Sequence, residues 1–301
     1  IIDIALIEKV VRLRYLDYVD MLEQADLVIF QAEGTMTGTD FLRAERLLLL
    51  PWLAKHGFHK PVISLNQTLF SANENFTKAL FTVLTALDQI WVREPASLAW
   101  LHNNGLSQAR LVADTAFLTE PLEHGNHWKN MPKKDFFCIT GSAVLEKDMI
   151  DSYIHVIQAI SRSTGLMPVF VCSAGIDLQL RGVAAKYWSE SEYYVTPSAL
   201  IYQGVAALLG RAQFLIGGRY HMSILAAISG TPSVLAATNT HKLSGLTELL
   251  DVDWPIRNFN DTEQLIADAE MLCNNPDSSR EKLKRRVAII RNNISDAYIN
   301  W

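Results

Sequence analysis

Residues 213–228, QFLIGGRYHMSILAAI, decide the fold class of this chain. The apolar run 213–216 predicts a buried parallel strand, two glycines interrupt it, and the small apolar residues that follow predict a helix. A strand that turns through glycine into a helix presents free backbone N–H groups and the positive end of the helix dipole. Arg219 and His221 add a permanent cation and an imidazole to the first turn. The segment therefore predicts a site for an anion whose chemistry also needs a proton.

Short apolar runs alternate with helical patterns along almost the whole chain. The runs are apolar on both faces, which indicates parallel sheets built from βαβ units. We predict strands at 27–31, 61–66, 89–92, 109–112, 136–140, 168–172, 213–216 and 232–236. We predict helices at 2–24, 41–55, 75–87, 97–103, 147–163, 178–187, 199–209, 221–228, 243–249 and 262–273.

A polar stretch at 120–134, rich in proline, glycine and histidine, divides this pattern into two halves of similar size. We therefore predict an N-terminal Rossmann-like domain over 1–133 and a C-terminal one over 134–301. Ligands bind at the carboxyl ends of parallel strands, so we expect the two sheets to face each other across a cleft that holds the site. The segment 277–301 predicts an amphipathic, basic helix that packs back across the hinge.

Composition narrows the class of protein. The 301 residues are 49% hydrophobic and 20% charged, with a net charge of −5. The chain therefore lacks the excess of basic residues that is typical of nucleic-acid-binding proteins. No apolar run approaches the roughly 20 residues that cross a bilayer, and acidic residues interrupt the N-terminal segment early. Cys138, Cys172 and Cys273 have no spacing typical of a disulfide framework or a zinc site, and the first two lie in apolar runs. These features predict a cytoplasmic protein.

Two charged residues follow strands of the first half. Arg93 comes directly after the strand at 89–92, and Asp114 follows the strand at 109–112. At the carboxyl end of a sheet, Arg93 can bind a phosphate or carboxylate, while Asp114 can accept from a substrate hydroxyl or orient Arg93. A solvated arginine and a turn-forming aspartate explain the two residues about equally well.

Other polar residues lie at similar strand ends. A Gly/Thr-rich loop that begins at Glu33 and includes Thr35 follows the first strand, and Asn66 and Gln67 end the next one. Lys242 follows the strand after the Arg219–His221 helix, so it can reach the same pocket. A plain strand–helix connection and a solvated lysine are the alternatives. The loop lacks the spacing of a P-loop or a dinucleotide-binding fingerprint.

Metal and hydrolase motifs are not evident. The chain contains no HExxH, GxSxG or paired-cysteine pattern, and His124 and His127 lie in the predicted linker without a useful partner spacing. We therefore predict that the site holds no metal.

Taken in order, these motifs resemble the polysaccharide pyruvyltransferase family over residues 26–250. The most specific match is the Arg219-x-His221 helix, which is followed by Gly-x-Pro and then by a lysine. The other matching segments are 26–30 with the Glu33 loop, 60–67, 92–97 with Leu101 and Gly105, 112–117, and Gly218, Ala226, Gly230, Pro232, Lys242 and Gly245. The family's opening glycine-rich strand–turn–helix unit has no counterpart in these residues.

The resemblance implies a GT-B-like fold, with two Rossmann-like domains, and an enzyme that transfers pyruvate from phosphoenolpyruvate to a sugar. It implies no cofactor and an acceptor that is a sugar or a lipid-linked oligosaccharide of a surface polysaccharide. His221 would be the general acid, and Asp114 would orient a group or help to accept the hydroxyl proton. The donor-binding residues would be Arg219, Arg93, Gly218 and Lys242. The acceptor-side candidates are Glu33, Thr35, Asn66 and Gln67.

Two other functions stay open. A nucleotide-sugar glycosyltransferase of the same architecture would use Arg219 and Lys242 to bind the diphosphate, and a non-catalytic relative would only bind sugar. A lipid-linked acceptor would also imply peripheral contact with the inner face of the membrane. The basic residues available for it are Arg280, Lys282, Lys284, Arg285 and Arg286, although a solvated helix face is the favoured explanation of that stretch. The sequence predicts no oligomeric state.

Overall fold

The computed structural model describes residues 4–37, 41–122, 132–173, 175–189, 194–195, 201–274 and 276–299. The chain forms two compact units, Ile1–Asp114 and Thr115–Trp301, and each contains its own parallel sheet. The predicted α/β class with two parallel sheets is confirmed.

The first unit is built on strands that follow one another in the sheet as they do in the chain. Their bounds are Val28–Phe30 (β1), Val62–Gln67 (β2), Gln89–Val92 (β3) and Arg110–Leu111 (β4), in the order β1-β2-β3-β4. The helices of this unit are Ile4–Gln24 (α1), which precedes β1, and Phe41–His56 (α2), Glu74–Leu84 (α3) and Pro95–Asn103 (α4), which connect successive strands. Helix α3 shows why these elements form: the Asn73 side chain caps it by accepting from Phe76 N, and apolar residues at helical spacing bury one face.

The second unit has a six-stranded sheet in the described residues, in the order β10-β9-β8-β5-β6-β7. The strands are Phe136–Ile139 (β5), Met167–Phe170 (β6), Tyr194–Val195 (β7), Leu215–Gly217 (β8), Ser233–Ala236 (β9) and Ile256–Arg257 (β10). Counted from β5, this is the Rossmann order 3-2-1-4-5-6. The strand order therefore reverses between β5 and β8, where such folds bind their ligands outside the carboxyl ends of the strands.

Helices cover both faces of this sheet, as parallel strands require. They are Ile150–Thr164 (α5), Gly175–Ala184 (α6), Tyr202–Arg211 (α7), Tyr220–Ile228 (α8), Lys242–Leu250 (α9), Thr262–Asn274 (α10) and Pro276–Ile299 (α11). Short 3₁₀ helices form at Thr115–Leu118 and Lys147–Met149. The core lies between the sheet and α5, α6 and α10, and it includes stacked rings of Phe137 and Phe214 with centroids 5.1 Å apart.

Every predicted strand and helix has a counterpart, with ends that differ by a few residues. Strands β7 and β10 were not predicted, because two residues at a sheet edge carry no detectable periodicity. Residues 123–131, which make up most of the predicted linker and contain His124 and His127, lie outside the described residues, as do Gly38 and Thr39 of the first loop.

The second compact unit begins at Thr115, earlier than the domain boundary at 133/134 that the sequence predicts. The reason is local packing: the Thr115–Leu118 turn buries Phe117 and lies against α8 and α11. Arg291 of α11 also donates to the carbonyl oxygens of Phe117 and Thr119, at 2.7 Å each. Helix α11 thus packs within the second unit, against α8 and α9.

Two arginines of the basic stretch of α11 take part in this packing, whereas Lys282 and Lys284 are more than half exposed. Arg280 donates to Thr231 Oγ1 and to the carbonyl oxygens of Ala212 and Gln213, and Arg286 donates to Leu249 O. These contacts favour a structural role for both arginines. No helix in the described ranges is both long and apolar enough to cross a membrane.

A buried tyrosine contacts the ends of β5 and β8, the two strands between which the strand order reverses. The Tyr153 hydroxyl of α5 shares its one proton between Thr140 O (3.1 Å) and Ile216 O (3.2 Å), and its side chain has no exposed surface. We expect Tyr153→Phe to lower the free energy of unfolding by about 1–2 kcal/mol, because it removes a buried donor from two carbonyl oxygens. Urea unfolding measures the loss, and Tyr202→Phe, at a side chain 67% exposed, is the matched control. An equal loss in both variants would contradict this role.

Candidate active site

The β8–α8 turn lies at the reversal point and is shaped by glycine. Gly217 has φ +146°, and a Cβ there would collide with Oγ1 and the carbonyl oxygen of Thr140. The amide of Gly218 donates to Gly141 O at 2.9 Å, which joins the loops after β8 and β5. Gly218 therefore acts through its backbone, and it places Arg219 at the start of α8.

Arg219 is the N-cap residue of α8. N-cap positions favour side chains that accept from the first turn, and arginine has no acceptor. Its Nη2 donates to Asp177 Oδ1 at 3.1 Å, while its Nε is buried without a hydrogen-bond partner in the described part of the chain. A guanidinium beside the positive end of a helix dipole is unfavourable alone and favourable once an anion binds. The arrangement therefore fits the predicted anion site.

His221 is the second residue of α8, half-buried, and its ring meets Tyr220 edge to face with centroids 5.5 Å apart. It thus lies in the first turn of the helix whose N-cap is Arg219. Its role as general acid stays a prediction.

Asp177 is a part of this site that the sequence analysis missed. It lies in the first turn of α6, is buried, and accepts from Gly141 N, Ser173 N and Ser173 Oγ at 2.9 Å as well as from Arg219. These contacts link the loops after β5, β6 and β8. An acidic residue in the first turn after a strand was the available signal, but two of its partners, Gly141 and Arg219, lie 36 and 42 positions away in the chain.

The loop after β5 carries two hydroxyl groups, those of Thr140 and Ser142. Thr140 is 1% exposed, and its Oγ1 has no hydrogen-bond partner among the described residues. Ser142 Oγ donates to Ala237 O, which follows β9, at 2.5 Å. The loop after β5 is thus held to its neighbours, and it leaves one buried hydroxyl available.

Lys242 is the first residue of α9, and its Nζ donates to Asn239 Oδ1 at 3.1 Å. Its predicted reach to the anion stays a prediction.

Cys172 lies beside Asp177, with Sγ 3.6 Å from the Asp177 carbonyl oxygen. Burial raises the pKa of this thiol to about 11, and the Asp177 charge acts in the same direction against the smaller effect of Arg181. The thiolate is the nucleophilic form of cysteine. A cysteine nucleophile is therefore disfavoured at neutral pH.

Arg93 and Asp114 of the first unit meet in a buried ion pair. Arg93 Nη1 donates to Asp114 Oδ2 at 2.9 Å and Nε donates to Thr68 Oγ1 at 3.0 Å, while Glu94 Oε2 lies 3.6 Å from Nε. The side chains of Arg93, Asp114 and Glu94 are all at least 96% buried. Two carboxylates thus surround one guanidinium. The suggestion that Asp114 orients Arg93 fits this geometry, whereas a solvated arginine does not.

The acceptor-side candidates have different environments. Glu33 has an exposed side chain and a positive φ of 50°, and its carbonyl oxygen accepts from Thr68 N at 2.8 Å. Thr35 is half-buried in the same loop, and Asn66 is 6% exposed. Gln67 is fully buried and donates to Phe30 O and Ser64 Oγ. Gln67 therefore joins β1 to β2, and the acceptor roles of all four stay predictions.

Among the described residues, no group of three or more His, Cys, Asp or Glu side chains is placed to hold a metal ion.

Solved structures define the fold class as GT-B-like. The UDP-N-acetylglucosamine 2-epimerase (putative) of Listeria monocytogenes matches 99% of this chain and 79% of its own, with 13% identity and a TM-score of 0.64. A UDP-GlcNAc 2-epimerase of Methanocaldococcus jannaschii, in complex with UDP-GlcNAc and UDP, matches 96% and 79% with 17% identity and a TM-score of 0.60. An α,α-trehalose-phosphate synthase of Burkholderia xenovorans matches 98% and 77% with 13% identity and a TM-score of 0.62. At such identities the likeness establishes the fold alone.

The sequence model of the family described as polysaccharide pyruvyl transferase matches residues 2–240. The chain therefore belongs to the polysaccharide pyruvyl transferase family. No curated protein sequence matches it.

Proposed function

We propose that this protein transfers a pyruvyl group from phosphoenolpyruvate to a sugar of a surface polysaccharide or its precursor, forming a ketal and releasing phosphate. Family membership supports a transferase with a polysaccharide acceptor. The observation that carries the donor assignment is Arg219 at the N-cap of α8, where an anion offsets both the guanidinium charge and the helix dipole.

Phosphoenolpyruvate suits this site because it carries a carboxylate and a phosphate. In the proposal, Arg219 and the first-turn amides of α8 bind one of these groups, with the unpartnered Nε of Arg219 as a further donor. Arg93 and Lys242 are assigned to the donor as well, and Asp114 and Asn239 hold their side chains. These cations would neutralise the leaving phosphate without a metal.

The reaction needs one proton at the methylene carbon of the enol. Protonation there makes the neighbouring carbon oxocarbenium-like, two hydroxyls of the sugar add to it, and the C–O bond to phosphate breaks. One hydroxyl proton balances the proton given to carbon, and the other leaves with phosphate. We assign the first transfer to His221, because imidazole gives and takes protons near neutral pH. Asp114 is proposed to help accept a hydroxyl proton.

The remaining assignments concern the acceptor and the location. Glu33, Thr35, Asn66 and Gln67 are proposed on the acceptor side, through their side chains or the loop backbone. We propose a cytoplasmic reaction, which the free thiols of Cys138, Cys172 and Cys273 support. A lipid-linked acceptor would bring the protein to the inner face of the membrane.

A nucleotide-sugar glycosyltransferase is the second candidate. Several proteins of similar fold act on UDP-linked sugars, as their descriptions state. In that case Arg219 and Lys242 would bind the diphosphate.

Thermal unfolding with added ligands separates the candidates. We expect phosphoenolpyruvate to raise the melting temperature, since a ligand at 100 times its Kd stabilises the folded state by about 2.7 kcal/mol. UDP- and CMP-linked sugars should have no such effect. Arg219→Ala should abolish the shift, whereas Arg162→Ala, at an exposed arginine of α5, should keep it. Phosphate release from phosphoenolpyruvate with a panel of sugars then identifies the acceptor.

Other outcomes of the same measurements would support one of the alternative functions. A shift with UDP-linked sugars alone would replace the proposal by the glycosyltransferase. Stabilisation by saccharides alone, without phosphate release, would favour a non-catalytic sugar-binding protein.

A further inference from the structure

Asp177 is buried above the carboxyl ends of three adjacent strands. In the sheet order, β8, β5 and β6 are neighbours, and the loop after each one donates to this carboxylate. Gly141 N and Arg219 Nη2 donate to Oδ1, while the amide and hydroxyl of Ser173 donate to Oδ2. The carboxylate therefore joins the two sides of the point where the strand order reverses.

The chain is built to admit this carboxylate. A Cβ at Gly141 would lie 2.5 Å from Asp177 Oδ1, so glycine allows the close approach to the backbone amide. The Asp177 side chain is 2% exposed, and burial of an unpaired carboxylate is costly. Arg219 forms an ion pair with Asp177 and retains 20% exposure.

Arg219 depends on this partner for its position. The positive end of the α8 dipole repels a guanidinium, which would otherwise turn its flexible side chain toward solvent. Asp177 supplies the opposite charge on the side of the protein core, at 3.1 Å from Nη2. Of the two oxygens, Oδ1 contacts Arg219 and Oδ2 holds the β6 loop. The geometry thus fixes the guanidinium against the helix before an anion arrives.

We propose that Asp177 is a positioning residue that holds Arg219 in its anion-binding orientation and does not itself contact the anion. This inference rests on the proposed anion site at Arg219 and adds to it a residue that acts only through another. Its loss should therefore weaken anion binding in the presence of Arg219 and have no further effect once Arg219 is removed.

A double-mutant cycle with inorganic phosphate as the probe tests this dependence. Isothermal titration calorimetry measures phosphate affinity for the wild type, Asp177→Asn, Arg219→Ala and the double variant, all as the full chain. We expect Asp177→Asn to weaken binding by about tenfold or more in the wild-type background and by less than about twofold in the Arg219→Ala background. Additive losses, or an Asp177→Asn variant with wild-type affinity, would overturn the proposal.

Three further variants separate positioning from folding. Asp268→Asn removes the carboxylate partner of Arg257 in the same unit and should lower the melting temperature without changing phosphate affinity. Ser173→Ala removes one donor to Oδ2, leaves the Oδ1–Arg219 contact, and should keep affinity within about twofold. If Asp177→Asn does not fold, Asp177→Glu enters the same cycle, because it keeps the charge but displaces the carboxylate. A loss of affinity in Ser173→Ala equal to that of the Asp177 variant would indicate loop stability instead.

Because the probe is inorganic phosphate, the role of Asp177 and the identity of the donor are tested separately. Phosphate binding that shows the expected coupling, in a protein that phosphoenolpyruvate does not stabilise, would retain Asp177 as positioning residue and reject the proposed donor. Failure of the wild type to bind phosphate would overturn the Asp177 proposal, while the effect of phosphoenolpyruvate on the melting temperature would still decide the proposed donor.

Discussion

His221→Ala should lower the rate of phosphate release from phosphoenolpyruvate by about 10²–10⁴-fold, the range that positioned acid–base groups contribute. The reason is that protonation of an enol carbon needs an acid close to that carbon, and water is a much weaker acid than an imidazolium ion. His221 lies in the first turn of the helix that begins at Arg219. The variant should therefore bind the donor but turn it over slowly.

Steady-state kinetics with the active sugar acceptor measure this effect. His221→Ala should lower kcat with a small change in KM for phosphoenolpyruvate, whereas Arg219→Ala should mainly raise KM. His155→Ala is the matched control, because His155 is an exposed histidine of the same unit whose ring nitrogen bonds to the carbonyl of its own helix. It should retain wild-type kinetics.

Isotope incorporation checks the same step independently. In D₂O the methyl group of the ketal should carry one deuterium, because one proton is added to the methylene carbon. Full activity of a folded His221→Ala would show that another group supplies the proton.

The position of Arg219 between a strand and a helix could be predicted from local sequence. The apolar run, the two glycines and the start of α8 all fall within residues 213–228, so short-range patterns suffice to place Arg219 at the carboxyl end of a strand. The strand that ends at Val92 likewise places Arg93 by its position in the chain. Parallel strands collect such residues at one edge of their sheet, which is why the alternating pattern was informative.

The partner of Arg219 could not be predicted, whereas Asp114 was already a candidate partner of Arg93. Asp177 reaches Arg219 across 42 positions and Gly141 across 36, and no periodic pattern encodes such a contact. The buried hydroxyl of Thr140 is similar, since no sequence pattern shows that its Oγ1 has no hydrogen-bond partner among the described residues. The sequence also did not show which way the Arg93 side chain points. A position at a strand end fits both a solvent-exposed arginine and one in a buried ion pair.

The burial of Arg93 leads to the second prediction with a large effect, which concerns the free energy of unfolding. We expect Arg93→Met to lower the free energy of unfolding by about 3–5 kcal/mol, the loss seen when one partner of a buried ion pair is removed. Two carboxylates, Asp114 and Glu94, would then be buried near each other without the guanidinium that now contacts both. Methionine fills a similar volume, so the loss reports charge more than cavity formation.

Urea unfolding followed by circular dichroism measures this change, with Arg12→Met as the matched control. Arg12 also faces two carboxylates, Asp20 and Glu23, but these side chains are 49% and 59% exposed, so its replacement should cost about 0–1 kcal/mol. Adding Asp114→Leu to Arg93→Met should recover part of the stability, because a buried ion pair replaced by apolar groups is often tolerated.

The same variant separates structure from donor binding. If Arg93 serves the fold first, Arg93→Met loses stability, and any loss of phosphoenolpyruvate affinity follows from the altered first unit. The alternative outcome is an Arg93→Met protein that has wild-type stability and shows no rise in melting temperature with the donor. This would mean that the Asp114 and Glu94 carboxylates tolerate the loss of the guanidinium. In that case the pair would hold Arg93 for the donor, as Asp177 is proposed to hold Arg219, and not for the fold.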